Sequence, residues 1–179
     1  CMVNPFRCKI LHKKASLAVL SDERNAGLFS AEERQAIDAH IPWTRRVEER
    51  RTLYRGQTVD LVPFILEGRE QFVLKSNDEY GGRGIMLGWQ ADAASWERTV
   101  QRALAEPAVV QQRVTLPSEP YPSMVDGRVQ FIDRMMDIDP FITHGAHVEG
   151  CITRLSTAAL MNVTAGGSST VTTFLVERR

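Results

Sequence analysis

Apolar positions recur with a helical period between residues 92 and 106. Trp96, Val100 and Leu104 fall at i, i+4 and i+8, one face of a helix packed on a core. Asp92 stands where an N-cap belongs and Pro107 closes the segment. Upstream, Phe72-Val-Leu74 is a short continuous apolar run, which predicts a buried strand that ends on one cation, Lys75. A short polar linker follows, then Gly81, Gly82 and Gly84 around Arg83, then a second apolar run from Ile85 to Leu87. The order is strand, glycine turn, strand. Downstream of the helix, Val109 to Val114 predicts a further strand.

The flanks are less regular. Ile10, Leu11, Ala15, Leu17, Ala18 and Leu20 give an untidy apolar face behind Pro5 and predict a first helix. Ser30-Ala-Glu-Glu33 is a capping box, and its helix is expected to end near His40, before Pro42. Residues 43–55 are arginine-rich and irregular, with a solvated basic face as the default for Arg45, Arg46, Arg50 and Arg51 and an acidic substrate or partner as the alternative. Leu61 to Glu70 reads as a short helix that tolerates Pro63 in its first turn. Pro117, Pro120 and Pro122 mark a loop. The tail beyond is strand-rich, with Asp126-Gly127 as a hairpin turn and Glu149-Gly150 separating a further pair of strands. The whole is an α+β arrangement: an N-terminal helical segment over 1–51, a small α/β lobe over 52–114 and an antiparallel β-rich lobe over 115–179.

Composition narrows the classes. Lys+Arg 22 balances Asp+Glu 22, so the basic excess of a broad nucleic-acid surface is missing. No apolar run approaches the ~20 residues of a membrane-spanning helix. Three widely spaced cysteines make no disulfide framework, and a reducing, cytoplasmic setting is expected. Four histidines and three cysteines offer no nucleophilic triad. Cys8-x-x-x-His12 and His144-x-x-His147-x-x-x-Cys151 match no known zinc-ligand spacing, so a buried Cys8 and surface histidines are expected instead. The opening, Cys1-Met-Val-Asn-Pro-Phe6, reads like the middle of a longer protein.

The glycine segment carries the candidate chemistry. Glycines let a backbone approach an anion and present bare N–H groups to it, and a lysine at a strand end adds a point charge. A P-loop would place its lysine after the glycines, and a dinucleotide fingerprint would open a helix, so both readings fail. The kinase tripeptides His-Arg-Asp and Asp-Phe-Gly do not occur. Two readings remain on the motif alone: a flap over nucleotide phosphates, and an ordinary glycine-rich hairpin.

Taken together, Phe72-Val-Leu-Lys75, Gly81-Gly-Arg-Gly84, Val110-Gln-Gln-Arg-Val114, Cys151-Ile-Thr-Arg-Leu155 and Leu160-Met-Asn-Val-Thr-Ala-Gly-Gly167 resemble the ATP-grasp fold. In particular, the chain is similar to the C-terminal half of circularly permuted, glutathionylspermidine synthase-like ATP-grasp proteins. The resemblance implies ATP and Mg2+ as cofactors. It also implies a carboxylate–amine ligase, with small-molecule carboxylate and amine substrates and an acyl-phosphate intermediate. Lys75 would contact the phosphates, Gly81, Gly82 and Gly84 would form the flap, and Arg83 would touch phosphate or solvent. Gln111 falls where many members have a glutamate facing the adenine amino group, and backbone groups of Gln112 and Val114 would complete that edge. Lys14 matches a lysine that recurs near the start of the first helix. Arg154 matches an arginine near the transferring phosphate.

Departures accompany the match. The final glycine run continues as Ser168-Ser-Thr-Val171, where permuted members carry a further glycine, a lysine and an aspartate. The positions that the resemblance offers to magnesium here are Asn162 and Asp139, the latter in an Asp-Pro-Phe that recurs in the family. Asp133 and Asp137 lie at even steps from Asp139 and share its strand face, a metal or substrate site in one reading and a solvated side in the other. The main magnesium ligands are expected in an N-terminal half of the same protein, outside this chain. The chain alone is then expected not to catalyse. A non-catalytic nucleotide-binding or scaffold module is the alternative.

Overall fold

The computed structural model describes residues 4–161, 168–174, 176 and 177. Two compact units divide the chain, Cys1–Val114 and Thr115–Arg179. The class is α+β with antiparallel sheets.

The first unit begins with two short helices, α1 (Cys8–His12) and α2 (Ala15–Ser21), in place of one. Of their apolar positions only Ala18 is buried, so no continuous apolar stripe holds a longer helix together. A 3-10 turn (Glu23–Leu28) leads to α3 (Ala31–His40). Both bonds of its capping box are present: Glu33 N donates to Ser30 Oγ, and Ser30 N donates to Glu33 Oε2. Ser30→Ala removes one of these acceptors and should cost about 1 kcal/mol, read as a small fall in Tm.

Beyond α3, residues 43–55 form strands, β1 (Thr44–Arg46) and β2 (Arg51–Tyr54), the latter in a hairpin with β3 (Gln57–Asp60). Then come α4 (Leu61–Glu67), β4 (Phe72–Ser76), β5 (Ile85–Leu87), α5 (Ala93–Ala105) and β6 (Ala108–Gln112). The main sheet has the order β1-β6-β4-β5, antiparallel throughout. Period-two alternation sorts its residues. Phe72, Leu74 and Val110 join Leu61, Ile65, Trp96 and Val100 in the core, and Trp96 donates to Ile65 O at 2.9 Å. Four rings, Trp43, Tyr54, Phe64 and Phe72, pack beside them with centroids 4.8–6.5 Å apart. Val73, Lys75, Val109, Gln111 and Thr44 take the opposite face, and α2 packs against β1 and β6.

The basic stretch is not a solvated face. Arg45 is 2% exposed, and Arg50 has its side chain buried against Asp22 and Glu23. Arg46 and Arg51 do face solvent. The sequence pattern hid this because the acids that neutralise the two arginines lie more than twenty residues upstream.

The second unit is a sheet in the order β10-β9-β8-β7, built from β7 (Ser118–Val125), β8 (Arg128–Thr143), β9 (His147–Ser156) and β10 (Ser168–Val171). The proline-marked loop is in part a strand. Pro120 and Pro122 lie in β7 at the sheet edge, where a missing N–H breaks no ladder bond and blocks pairing by another chain. Asp126-Gly127 is the expected hairpin turn, with φ of 50° and 73°. The second turn is at His144-Gly145, with φ of 53° and 69°, and Glu149 and Gly150 lie inside β9. Asn162, Gly166 and Gly167 lie outside the described residues. No helix among the described residues is long and apolar enough to cross a membrane.

Candidate functional site

The site builds from the alternation in β4. With Phe72 and Leu74 committed to the core, Lys75 emerges on the opposite sheet face, beside Gln111 of β6. Its Nζ donates to Gln111 Oε1 at 2.7 Å. The other end of that amide donates to Thr44 Oγ1 at 2.8 Å, and Thr44 donates in turn to Pro42 O at 2.7 Å. Gln111 and Thr44 are buried. Lys75 therefore sits at the end of a neutral relay. No carboxylate pairs with it among the described residues. Burial holds its pKa below the ordinary lysine value, and the nearby charge of Lys14 lowers it further.

The glycine loop closes over the strand end. Gly81, Gly82 and Gly84 have φ of 63°, 80° and 65°, left-handed backbone that other residues resist. Gly84 also lies so close to the Ser76 side chain that a Cβ there would stand 2.7 Å from Ser76 Cβ. Ser76 N donates to Gly84 O at 2.9 Å, and Arg83 N to Tyr80 O at 3.1 Å. The Arg83 guanidinium rests over the Tyr80 ring, 5.3 Å from its centroid. A cavity of about 30 Å³, lined in part by Lys75, Ser76, Gly84, Arg102 and Glu106, has room for water but not for a nucleotide.

Lys14 ends at the same loop. Its Nζ donates to Glu79 O. Around it, Lys9 and Lys13 pair with Asp78, whose carboxyl their hydrogen bonds hold at about 2, and His12 Nε2 stands 3.6 Å from the same carboxylate. In the sequence Asn77, Asp78 and Glu79 read only as polar linker. Nothing local in the chain shows that they receive the N-terminal helices.

Along the expected adenine edge, Gln111 and the backbone N–H of Gln112 are already engaged. Gln111 spends one acceptor site on Lys75 and one donor on Thr44, leaving one lone pair on Oε1 and one N–H on Nε2. Gln112 N donates to Trp43 O at 2.8 Å. Val114 lies beyond the end of β6 with its side chain in solvent. The next donor along, Arg113, stacks its guanidinium 4.3 Å from the Trp89 ring centroid.

In the second unit, Arg154 of β9 faces Asp137 of β8. It donates to Asp137 at 2.9 and 2.5 Å and reaches Asp139 at 2.8 Å. The hydrogen bond to Asp137, followed by the charges of both acids, raises the arginine's pKa. This arrangement does not suit a divalent cation: a guanidinium already occupies both carboxylates, and the described residues bring together no group of three His, Cys, Asp or Glu side chains able to hold a metal. The opposite side of the sheet carries an apolar groove of about 640 Å³, lined in part by Tyr121, Met136, Ile138, Leu155, Val171 and Phe174.

No model of a known protein family matches the chain, and no curated protein matches it either.

Proposed function

We propose that the first unit binds the phosphates of a nucleotide, as the ATP-binding part of an ATP-grasp carboxylate–amine ligase. The observation that carries this reading is Lys75: a half-buried cation whose partner is a neutral amide, beside a loop with three left-handed glycines. A charge withdrawn from water without a counter-charge is costly, and a polyphosphate supplies the missing anion. Lys75 and Lys14 would hold the phosphates, with the loop amides of residues 81–84 closing over them. ATP would supply the phosphoryl group that activates a small carboxylate for attack by an amine.

Catalysis needs groups beyond those described here. We infer that they come from an N-terminal half of the same protein, in a reducing, cytoplasmic setting. A second reading, a nucleotide-binding or scaffold module without turnover, is favoured by one observation: Asp137 and Asp139 already occupy Arg154.

Titration calorimetry of the chain with ADP tests the proposal. We expect micromolar binding that weakens as the pH rises, beginning below the range where an ordinary lysine deprotonates. The sign follows from Lys75. Its pKa is depressed in the free protein, the bound anion favours its protonated form, and the attraction disappears as the proton leaves. Absence of ADP binding by the chain sinks the reading for this unit.

A further inference from the structure

We propose that Asn77 is the positioning residue of this anion site, fixing Lys14 relative to Lys75; the inference rests on the nucleotide reading above. Asn77 follows Lys75 by two residues, just past the end of β4. Its three bonds lead to two places, the start of β6 and the start of α2. The amide donates to Pro107 O at 3.0 Å and ties the loop to the start of β6. The carbonyl accepts from Lys14 N at 3.1 Å. The side-chain Oδ1 accepts from Ala15 N at 2.9 Å.

The last two bonds replace a missing local signal. Lys14 occupies the N-cap position of α2, and its side chain makes no capping bond. An uncapped helix start leaves amides without partners. Asn77 supplies the acceptor from 62 residues away, and in doing so holds the backbone of Lys14 and of the residue after it.

Charge distribution shows what this placement does. Lys9 and Lys13 share a single counter-charge, the carboxylate of Asp78. Lys14 and Lys75 instead bond to neutral oxygens, Glu79 O and Gln111 Oε1. They are close enough for the charge of Lys14 to depress the pKa of Lys75. Two like charges kept near each other, each on a neutral partner, make a place for one multivalent anion. Asn77 is the residue bonded to the backbone of the first and linked along the chain to the second.

A double-mutant cycle on ADP affinity, in the whole chain, tests this. Asn77→Ala keeps both backbone bonds and removes only the Oδ1 acceptor of Ala15 N, so it loosens the start of α2 without releasing it. Lys14→Met is expected to weaken ADP about tenfold and Asn77→Ala about fivefold, and the double variant no further than Lys14→Met alone, because Asn77 acts through Lys14. A purely structural Asn77 would lower affinity by the same factor in both backgrounds. Multiplying effects, or no effect of Lys14→Met, overturn the proposal while leaving the nucleotide reading intact. Absence of ADP binding by the unaltered chain overturns both. Should Asn77→Ala fail to fold, Asn77→Gln, which keeps the amide but displaces it by one methylene, runs the same cycle with the same criteria.

Discussion

Lys75→Ala is expected to weaken ADP binding about a hundredfold, equivalent to about 2.7 kcal/mol, with little change in the stability of the protein. Both halves of this result come from the same geometry. The ammonium is drawn back from water and met only by the amide oxygen of Gln111. In the free protein it is a net cost, because one neutral hydrogen bond does not replace full hydration of a charge. Removing it relieves that cost but leaves the buried Gln111 Oε1 without its donor, so Tm should shift by no more than a few degrees, with Gln111 still bonded to Thr44. With an anion bound, the same ammonium would be its principal electrostatic contact. A structural lysine would show the reverse pattern: Tm would fall and affinity would follow through loss of folded protein. Unchanged ADP affinity in Lys75→Ala would remove Lys75 from the site, and the glycine loop would then be an ordinary hairpin.

Local patterns carried much of this fold. The capping box at Ser30, the helix built on Trp96 and Val100, the strand before Lys75 and the turn at Asp126-Gly127 each depend on neighbours within a few residues. Distant pairings were not legible. The stretch 43–55 looked irregular because its order comes from β6 for β1, and from a hairpin at Arg55-Gly56 that lacks the usual Asn or Asp. The prolines of β7 suggested a loop because an edge position, where proline is harmless, is a property of the sheet and not of the segment. The turn at His144-Gly145 was missed because Glu149-Gly150 offered a similar glycine signal a few residues on.

The site divides in the same way. Lys75 and the glycines stood out as a motif, and their left-handed backbone agrees with the residue type. Asn77 and Thr44 did not stand out, since their roles consist of bonds to residues 62 and 67 positions away. Arg154 was legible as a cation, but its two carboxylates became visible only with the register of β8 on β9. Matching residue types to a family pattern finds groups that would touch a ligand. It does not find the groups that hold them, or those that already occupy them.

The largest stability effect is expected at Asp22. Asp22→Ala should cost about 3–5 kcal/mol, because it removes one partner of a buried ion network and leaves the others charged. Asp22 is 5% exposed and accepts from the guanidinium groups of Arg50, at 2.5 Å, and Arg24, at 2.9 Å. Glu23 accepts from Arg45 and from Arg50 at 2.7 and 2.6 Å. Burial alone would raise both acids, but it is outweighed: at Asp22 by the hydrogen bonds from Arg50 and Arg24, at Glu23 by its own backbone amide, the Thr52 hydroxyl and the charge of Arg45. Both carboxyls therefore lie below their ordinary values in the folded state. Their contribution to stability is present above the unfolded carboxylate range and is lost as the pH falls through the depressed folded values. Unfolding in urea should accordingly become easier from about pH 5 downward, and Asp22→Ala should flatten that dependence as well as lower the midpoint at neutral pH. All three tryptophans, Trp43, Trp89 and Trp96, lie in the first unit, so their fluorescence reports on it without interference from the second. At a typical urea slope of about 1–3 kcal/mol/M, the midpoint should fall by at least about 1 M. High salt separates this network from the exposed Asp78 cluster, whose acid response is screened while that of a buried set persists. An unchanged midpoint in Asp22→Ala would mean that Arg50 and Arg24 find water or other acids when Asp22 is gone, and that the packing of β1 and β2 does not depend on the network.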